Sequence, residues 1–144
     1  ITIHEGNKEY LALLTSLLQA MPKGSTKYVL GTGGAAFMRE TMVPLWDAYH
    51  KVARAQQLKI QMIGYHGQES SIDPWTRSEK MYHLRYLPAA LENPAGVHIY
   101  PEIGVVVNVL YSTATQPVVA IKMQNDRLVQ GYMNFFTNMW KMAK

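Results

Sequence analysis

A change of periodicity along the chain most constrains its fold. From Asn7, the residues Tyr10, Leu13, Leu14, Leu17, Leu18 and Met21 recur at helical spacing on one face, and Pro22 and Gly24 end the run. A compact strand, Lys27–Leu30, leads through Gly31-Thr32-Gly33-Gly34 directly into a second helix with Met38, Met42, Leu45, Trp46, Tyr49, Val52 and Ala53 on one face. Pro44 sits inside that helix and is expected to kink it or split it in two. Leu58–Tyr65 reads as the next strand. His66–Ile72 reads as an exposed polar loop, and Asp73-Pro74 as the N-cap and N1 pair of a short helix ending near Lys80.

Beyond that point the pattern is mostly strands. Met81–Leu87 alternates Tyr82, Leu84 and Tyr86 with His83 and Arg85; the pair Val97–Tyr100 and Gly104–Leu110 follows, then a turn over Ser112–Pro117 and a strand over Val118–Met123. A last helix, opened by Asn125 or Asp126, carries Leu128, Val129, Tyr132, Phe135, Phe136, Met139 and Trp140 on its apolar face. Ile1–His4 reads as a short edge strand. Alternation followed by a meander predicts an α/β fold with a mixed sheet and helices on both faces.

At 144 residues the chain is expected to form one domain, and 48% apolar residues exclude disorder of the whole. No apolar run approaches the roughly 18–20 residues of a membrane span, so no membrane partner is expected. No basic segment followed by an apolar one marks a secretory signal. The chain has no cysteine, which rules out disulfides and thiol chemistry and suits a cytoplasmic location. The formal charge of +4 is mild, and the basic residues are scattered rather than clustered into a phosphate-tracking stripe.

Chemistry-bearing groups are few. Gly31-Thr32-Gly33-Gly34 follows a strand and opens a helix, so it serves either as a tight turn or as an anion or polyol site built on backbone N–H groups and the Thr32 hydroxyl. It matches neither a Walker A loop nor a dinucleotide fingerprint. His66 ends a strand at the sheet edge where open α/β sheets bind ligands. His83 and Arg85 share a strand face, where Arg85 either holds an anion or meets solvent. His98 reads as a buried histidine or a pocket residue, and His4 and His50 have no partner by spacing. No histidine pair has the spacing of a helical zinc site, and no cofactor or metal is expected. The aromatic stripe Tyr132, Phe135, Phe136 and Trp140 reads as core or as a homodimer seam.

The order of segments, rather than one motif, is similar to a known family. Glu5-Gly6 with its leucine-rich helix comes first. Lys27–Ala35 follows, with a helix carrying Trp46 and Tyr49 and the strand Leu58–Ile63. Arg85–Pro88, Pro94–Tyr100 and Phe135–Lys141 complete the series. Over essentially the whole chain this resembles the phospholipase D-like regulatory domain of TrmB-type transcription regulators. The resemblance implies a phospholipase D-like fold, a role in dimerisation and, as in several members, a part in binding a small effector such as a sugar. DNA would be contacted through a winged helix-turn-helix not present in these 144 residues. Against the active phospholipase D motif only His98 matches: Tyr100 stands in place of the lysine and Val105 in place of the aspartate.

The resulting expectation is a non-catalytic effector-sensing and dimerisation domain. Its effector would be a sugar, nucleotide or anion held by Gly31, Thr32, Gly33, Gly34, His66, Arg85, His98 and Tyr100. The alternative is a phospholipase D-superfamily phosphodiesterase or nuclease with a degenerate or dimer-composite histidine site. A simple anion- or nucleotide-binding module built on Gly31–Gly34 with His66 or Arg85 is a third.

Overall fold

The computed structural model describes residues 1–77 and 79–144. Among them the strands β1 (Thr2–Glu5), β2 (Thr26–Leu30), β3 (Lys59–Tyr65), β4 (Tyr82–Leu87), β5 (Ala95–Tyr100), β6 (Val105–Leu110) and β7 (Val119–Gln124) form one sheet. Its order is β1-β7-β6-β5-β2-β3-β4. β2, β3 and β4 run parallel, and β5, β6, β7 and β1 join antiparallel. The mixed sheet follows the predicted logic: strands separated by helices align in parallel, and strands joined by short turns reverse direction.

The helices are α1 (Asn7–Ala20), α2 (Ala35–Phe37), α3 (Val43–Ala55), α4 (Glu69–Thr76) and α5 (Asp126–Met142). α1, α3 and α4 cover one face, where Leu14, Leu18, Ala53 and Ile72 meet Val29, Met62 and Val107. α5 covers the other, with Val129 and Phe136 against Ile63, Ile99 and Val106. Each large apolar side chain buried this way contributes about 1.5–3 kcal/mol relative to exposure. The tryptophans divide between the two layers: Trp46 and Trp75 meet edge-on at 5.4 Å on the first face, and Trp140 lies on the second.

Pro44 splits the second helix. A π-helical turn, Met38–Met42, separates α2 from α3, and Pro44 lies in the first turn of α3. Proline has no N–H to offer the carbonyl four residues back, Glu40. Asn7 Nδ2 donates to that carbonyl instead, at 2.7 Å, while Asn7 Oδ1 accepts from the Thr41 hydroxyl at 3.0 Å. The π turn thus carries its displaced backbone group to a side chain from α1.

The segment that follows β3 differs from the expectation of a polar loop and a helix opened by Asp73-Pro74. α4 begins at Glu69, inside the expected loop, and ends at Thr76 rather than near Lys80. Ile72, Trp75 and Thr76 form a buried stripe at helical spacing, and Gln68 accepts the first-turn N–H groups of Ser71 and Ile72. Burial of Ile72 outweighs the cost of a proline inside the helix: the carbonyl that Pro74 leaves unpaired is that of Ser70, which is exposed to water. Asp73 is therefore not a cap. Its carboxylate accepts from Tyr86 Oη and Arg77 Nη2, both at 3.0 Å. At the last helix Asn125 is the cap, its side chain accepting from Leu128 N at 3.0 Å.

Candidate functional site

The chemistry of the chain gathers on the face covered by α1 and α3, in the middle of the sheet. Along β2, Lys27 and Val29 point to this face and Tyr28 and Leu30 to α5. The antiparallel register pairs Val29 with His98 and Tyr28 with Ile99, which sets Lys27 beside Tyr100. Lys27 is 1% exposed. Its ammonium donates to Tyr49 Oη at 2.9 Å and lies 5.1 Å from the centre of the Tyr49 ring and 5.2 Å from that of Tyr100. Among the described residues no carboxylate lies within 4.0 Å of it. Burial pulls its pKa down from 10.5 to about 7.

His98 is buried on the same face. Its Nε2 is 3.4 Å from Tyr111 Oη, and that hydroxyl donates to the Gly31 carbonyl. Tyr111 therefore accepts from His98, which places the imidazole hydrogen on Nε2 and leaves Nδ1 as a lone pair without a partner. Burial, reinforced by the nearby Lys27 charge, holds the imidazole pKa well below its ordinary value, so His98 is neutral. Burial also raises the hydroxyl pKa values of Tyr10, Tyr49, Tyr100 and Tyr111. Among the described residues Tyr100 Oη has no hydrogen-bond partner.

Lys27, His98, Tyr49, Tyr111, Tyr10 and Thr32 border a cavity of about 30 Å³, roofed by Phe37 and Met38. That is room for one or two water molecules. The glycine loop forms its rim. Gly31 has φ 86° and a built Cβ would lie 3.2 Å from the Ala95 carbonyl, so glycine is needed there. A Cβ on Gly33 would collide with the Phe37 ring, whereas Gly34 faces open space. The Thr32 hydroxyl does not face outward: it donates to Gln68 Oε1 at 2.9 Å, and Gln68 Nε2 donates to Glu92 Oε1 at 3.0 Å.

The predicted site residues thus separate into groups. Gly31, Thr32, Gly33 and His98 meet at or beside the cavity, with Tyr100 next to Lys27. His66 is exposed, 3.9 Å from Glu69 Oε1, and does not line the cavity. Arg85 points to the opposite face, where its guanidinium lies 4.4 Å from the Trp140 ring and donates to the Trp140 carbonyl at 2.9 Å. Lys27, Tyr49, Gln68 and Tyr111 were not foreseen. Strand parity was the available signal for Lys27, because it shares the core-facing side of its strand with Val29.

A second polar cluster lies nearby. His50, which lacks a partner by spacing, is fully buried against Trp46 and Trp75. Its Nε2 is 2.7 Å from Tyr82 Oη and its Nδ1 is 3.7 Å from Glu79 Oε1. Burial lowers its pKa and Glu79 opposes the shift. Among the described residues no group of three His, Asp or Glu side chains could hold a metal ion, and no helix is long and apolar enough to cross a membrane.

The open mixed sheet with helices on both faces is a phospholipase D-like fold, as solved structures of that fold show. The chain is similar to TrmBL2, an archaeal chromatin protein, with a TM-score of 0.60 and 16% identity, covering 99% of this chain and 53% of that one. It is similar also to NucT from Helicobacter pylori, with a TM-score of 0.70, 11% identity and coverage of 99% and 96%. Nuc from Salmonella typhimurium, a phospholipase D family member, gives a TM-score of 0.69, 10% identity and coverage of 99% and 95%. The chain therefore spans about half of TrmBL2 and nearly all of the other two. No protein-family model and no curated protein matches it by sequence.

Proposed function

We propose that this chain is the effector-sensing and dimerisation domain of a TrmB-like transcription regulator, acting in the cytoplasm, with DNA contacted through another domain. The observation that carries the reading is the burial of His98. The imidazole is buried and neutral and lines a cavity of about 30 Å³ that contains no second histidine and no carboxylate. A phosphodiester does not fit that space. Hydrolysis by this kind of histidine needs a nucleophile and a separate general acid, and one enclosed imidazole cannot serve as both. The likeness in fold to an archaeal chromatin protein supports the same reading. Native mass spectrometry is expected to find two copies per particle, and bis(p-nitrophenyl) phosphate is expected to remain intact. A clean monomer at tens of micromolar overturns the reading.

A phosphodiesterase or nuclease with a site composed across a dimer is favoured by one observation. Lys27 stands beside Tyr100 on the neighbouring strand, so a lysine and His98 share one sheet face even though the motif position holds tyrosine. The fold likeness to a phospholipase D family member agrees. Turnover of bis(p-nitrophenyl) phosphate that disappears in His98→Ala would establish this activity, and turnover unaffected by that change would exclude His98 from it.

A further inference from the structure

The ammonium of Lys27 is a cation buried in the interior with no counter-charge among the described residues. A carboxylate partner or contact with bulk water would ordinarily offset its burial; at 1% exposure and with no acid within 4.0 Å among the described residues, the cavity beside it is what remains to hold an offsetting group. The hydroxyl groups around it can donate, and among the cavity-facing side chains His98 Nδ1 is a lone pair. One Lys27 N–H goes to Tyr49 Oη, and because that oxygen accepts, the Tyr49 hydroxyl hydrogen remains to be donated. Tyr100 Oη has no partner among the described residues. From α1, Tyr10 adds another hydroxyl to the cavity wall. The titratable groups facing the cavity are thus Tyr10 from α1, Lys27 from β2, Tyr49 from α3, His98 from β5 and Tyr111 beyond β6, and none of them is a carboxylic acid.

We propose that this cavity binds one small monovalent anion of about halide size, taken up together with a proton on Lys27. The volume decides between ligand classes: about 30 Å³ admits a halide-sized ion and excludes a sugar or a nucleotide. The enclosing wall strengthens the attraction between ammonium and anion relative to water. The linkage to protons is reciprocal: an anion beside Nζ raises the proton affinity of Lys27, and protonated Lys27 binds the anion more tightly. Loss of the proton as the pH rises past neutrality releases the anion. The roof over the cavity is α2 and the π turn, through Phe37 and Met38, so occupancy bears on the segment that joins the glycine loop to α3.

This proposal rests on the sensing reading only for its biological meaning. The test is thermal unfolding in sodium bromide against sodium gluconate at matched ionic strength, at pH 6 and pH 9. At pH 6 bromide should raise Tm by roughly 3–6 °C, the shift for a ligand near ten times its Kd in a chain of this size. The difference should vanish at pH 9 and, at either pH, in Lys27→Met. In crystals of the unaltered chain grown in bromide, the anomalous signal should fall beside Nζ, so the test stands even if the variant does not fold. Equal Tm in both salts at pH 6 means that water alone fills the cavity and overturns the proposal. A shift that persists in Lys27→Met, or bromide bound elsewhere, overturns it too. A dimer with no bromide response rejects this inference alone, and a bromide-responsive monomer rejects the sensing reading alone.

Discussion

Lys27 shows how far one side chain can be moved from its solution chemistry by its place in a sheet. Its pKa is about 7 in the folded chain against 10.5 unperturbed. At pH below 7 both folded and unfolded chains carry the charge, and the burial cost is present in full. Between about 7 and 10.5 the unfolded chain binds more protons, so stability rises with pH. From pH 7 to pH 9 the rise should be on the order of 2 kcal/mol. Urea unfolding of Lys27→Met should show greater stability than the parent at pH 7 and no such slope. The sequence gives the parity of Lys27 with Val29 but not its consequence, because a lysine at the start of a strand ordinarily reaches water. His98 was legible as a pocket or core residue. Its partner Tyr111 was not, since a contact between β5 and the segment after β6 depends on the strand pairing and not on spacing.

Among the elements, those with a long apolar stripe were legible and those with competing signals were not. The stripe of α1 from Tyr10 to Leu18 is buried as its spacing predicts. For α4 the signals compete: Asp73-Pro74 has the composition of a helix start, while the burial of Ile72 and Trp75 places the helix five residues earlier. Pro44 was read correctly as a break, but the form of the break, a π turn held by Asn7, depends on α1 lying alongside. Asn7→Ala removes the donor to the Glu40 carbonyl and the acceptor for Thr41, and should lower stability by about 1 kcal/mol in denaturant titration. Hydrogen exchange should increase at the π turn before it does in α3.

For the described residues, the arrangement is asymmetric: α1, α3 and α4 cover the face that holds the cavity, and α5 alone serves the other. Neighbouring phenylalanines of α5 have opposite roles, Phe136 being 1% exposed and Phe135 53%. Phe136→Ala should cost about 3–5 kcal/mol in unfolding free energy. Phe135→Ser should change it by less than about 0.5 kcal/mol and, where α5 forms the seam of a dimer, reduce the dimer fraction in sedimentation equilibrium. The apolar stripe of α5 was legible in the sequence. Which of its rings faces outward was not, because that depends on the angle at which the helix crosses the sheet.

The division of the tryptophans between the two layers gives the molecule a built-in optical address for each. Trp46 and Trp75 lie against His50 at ring separations of 4.7 and 5.9 Å, so an imidazolium formed there would quench their emission. Trp140 lies against Arg85 instead. With Trp140→Phe the remaining fluorescence reports the layer around the cavity, and with Trp46 and Trp75 both changed to Phe it reports the layer under α5. Loss of cohesion in one half can then be followed independently of the other, without any label.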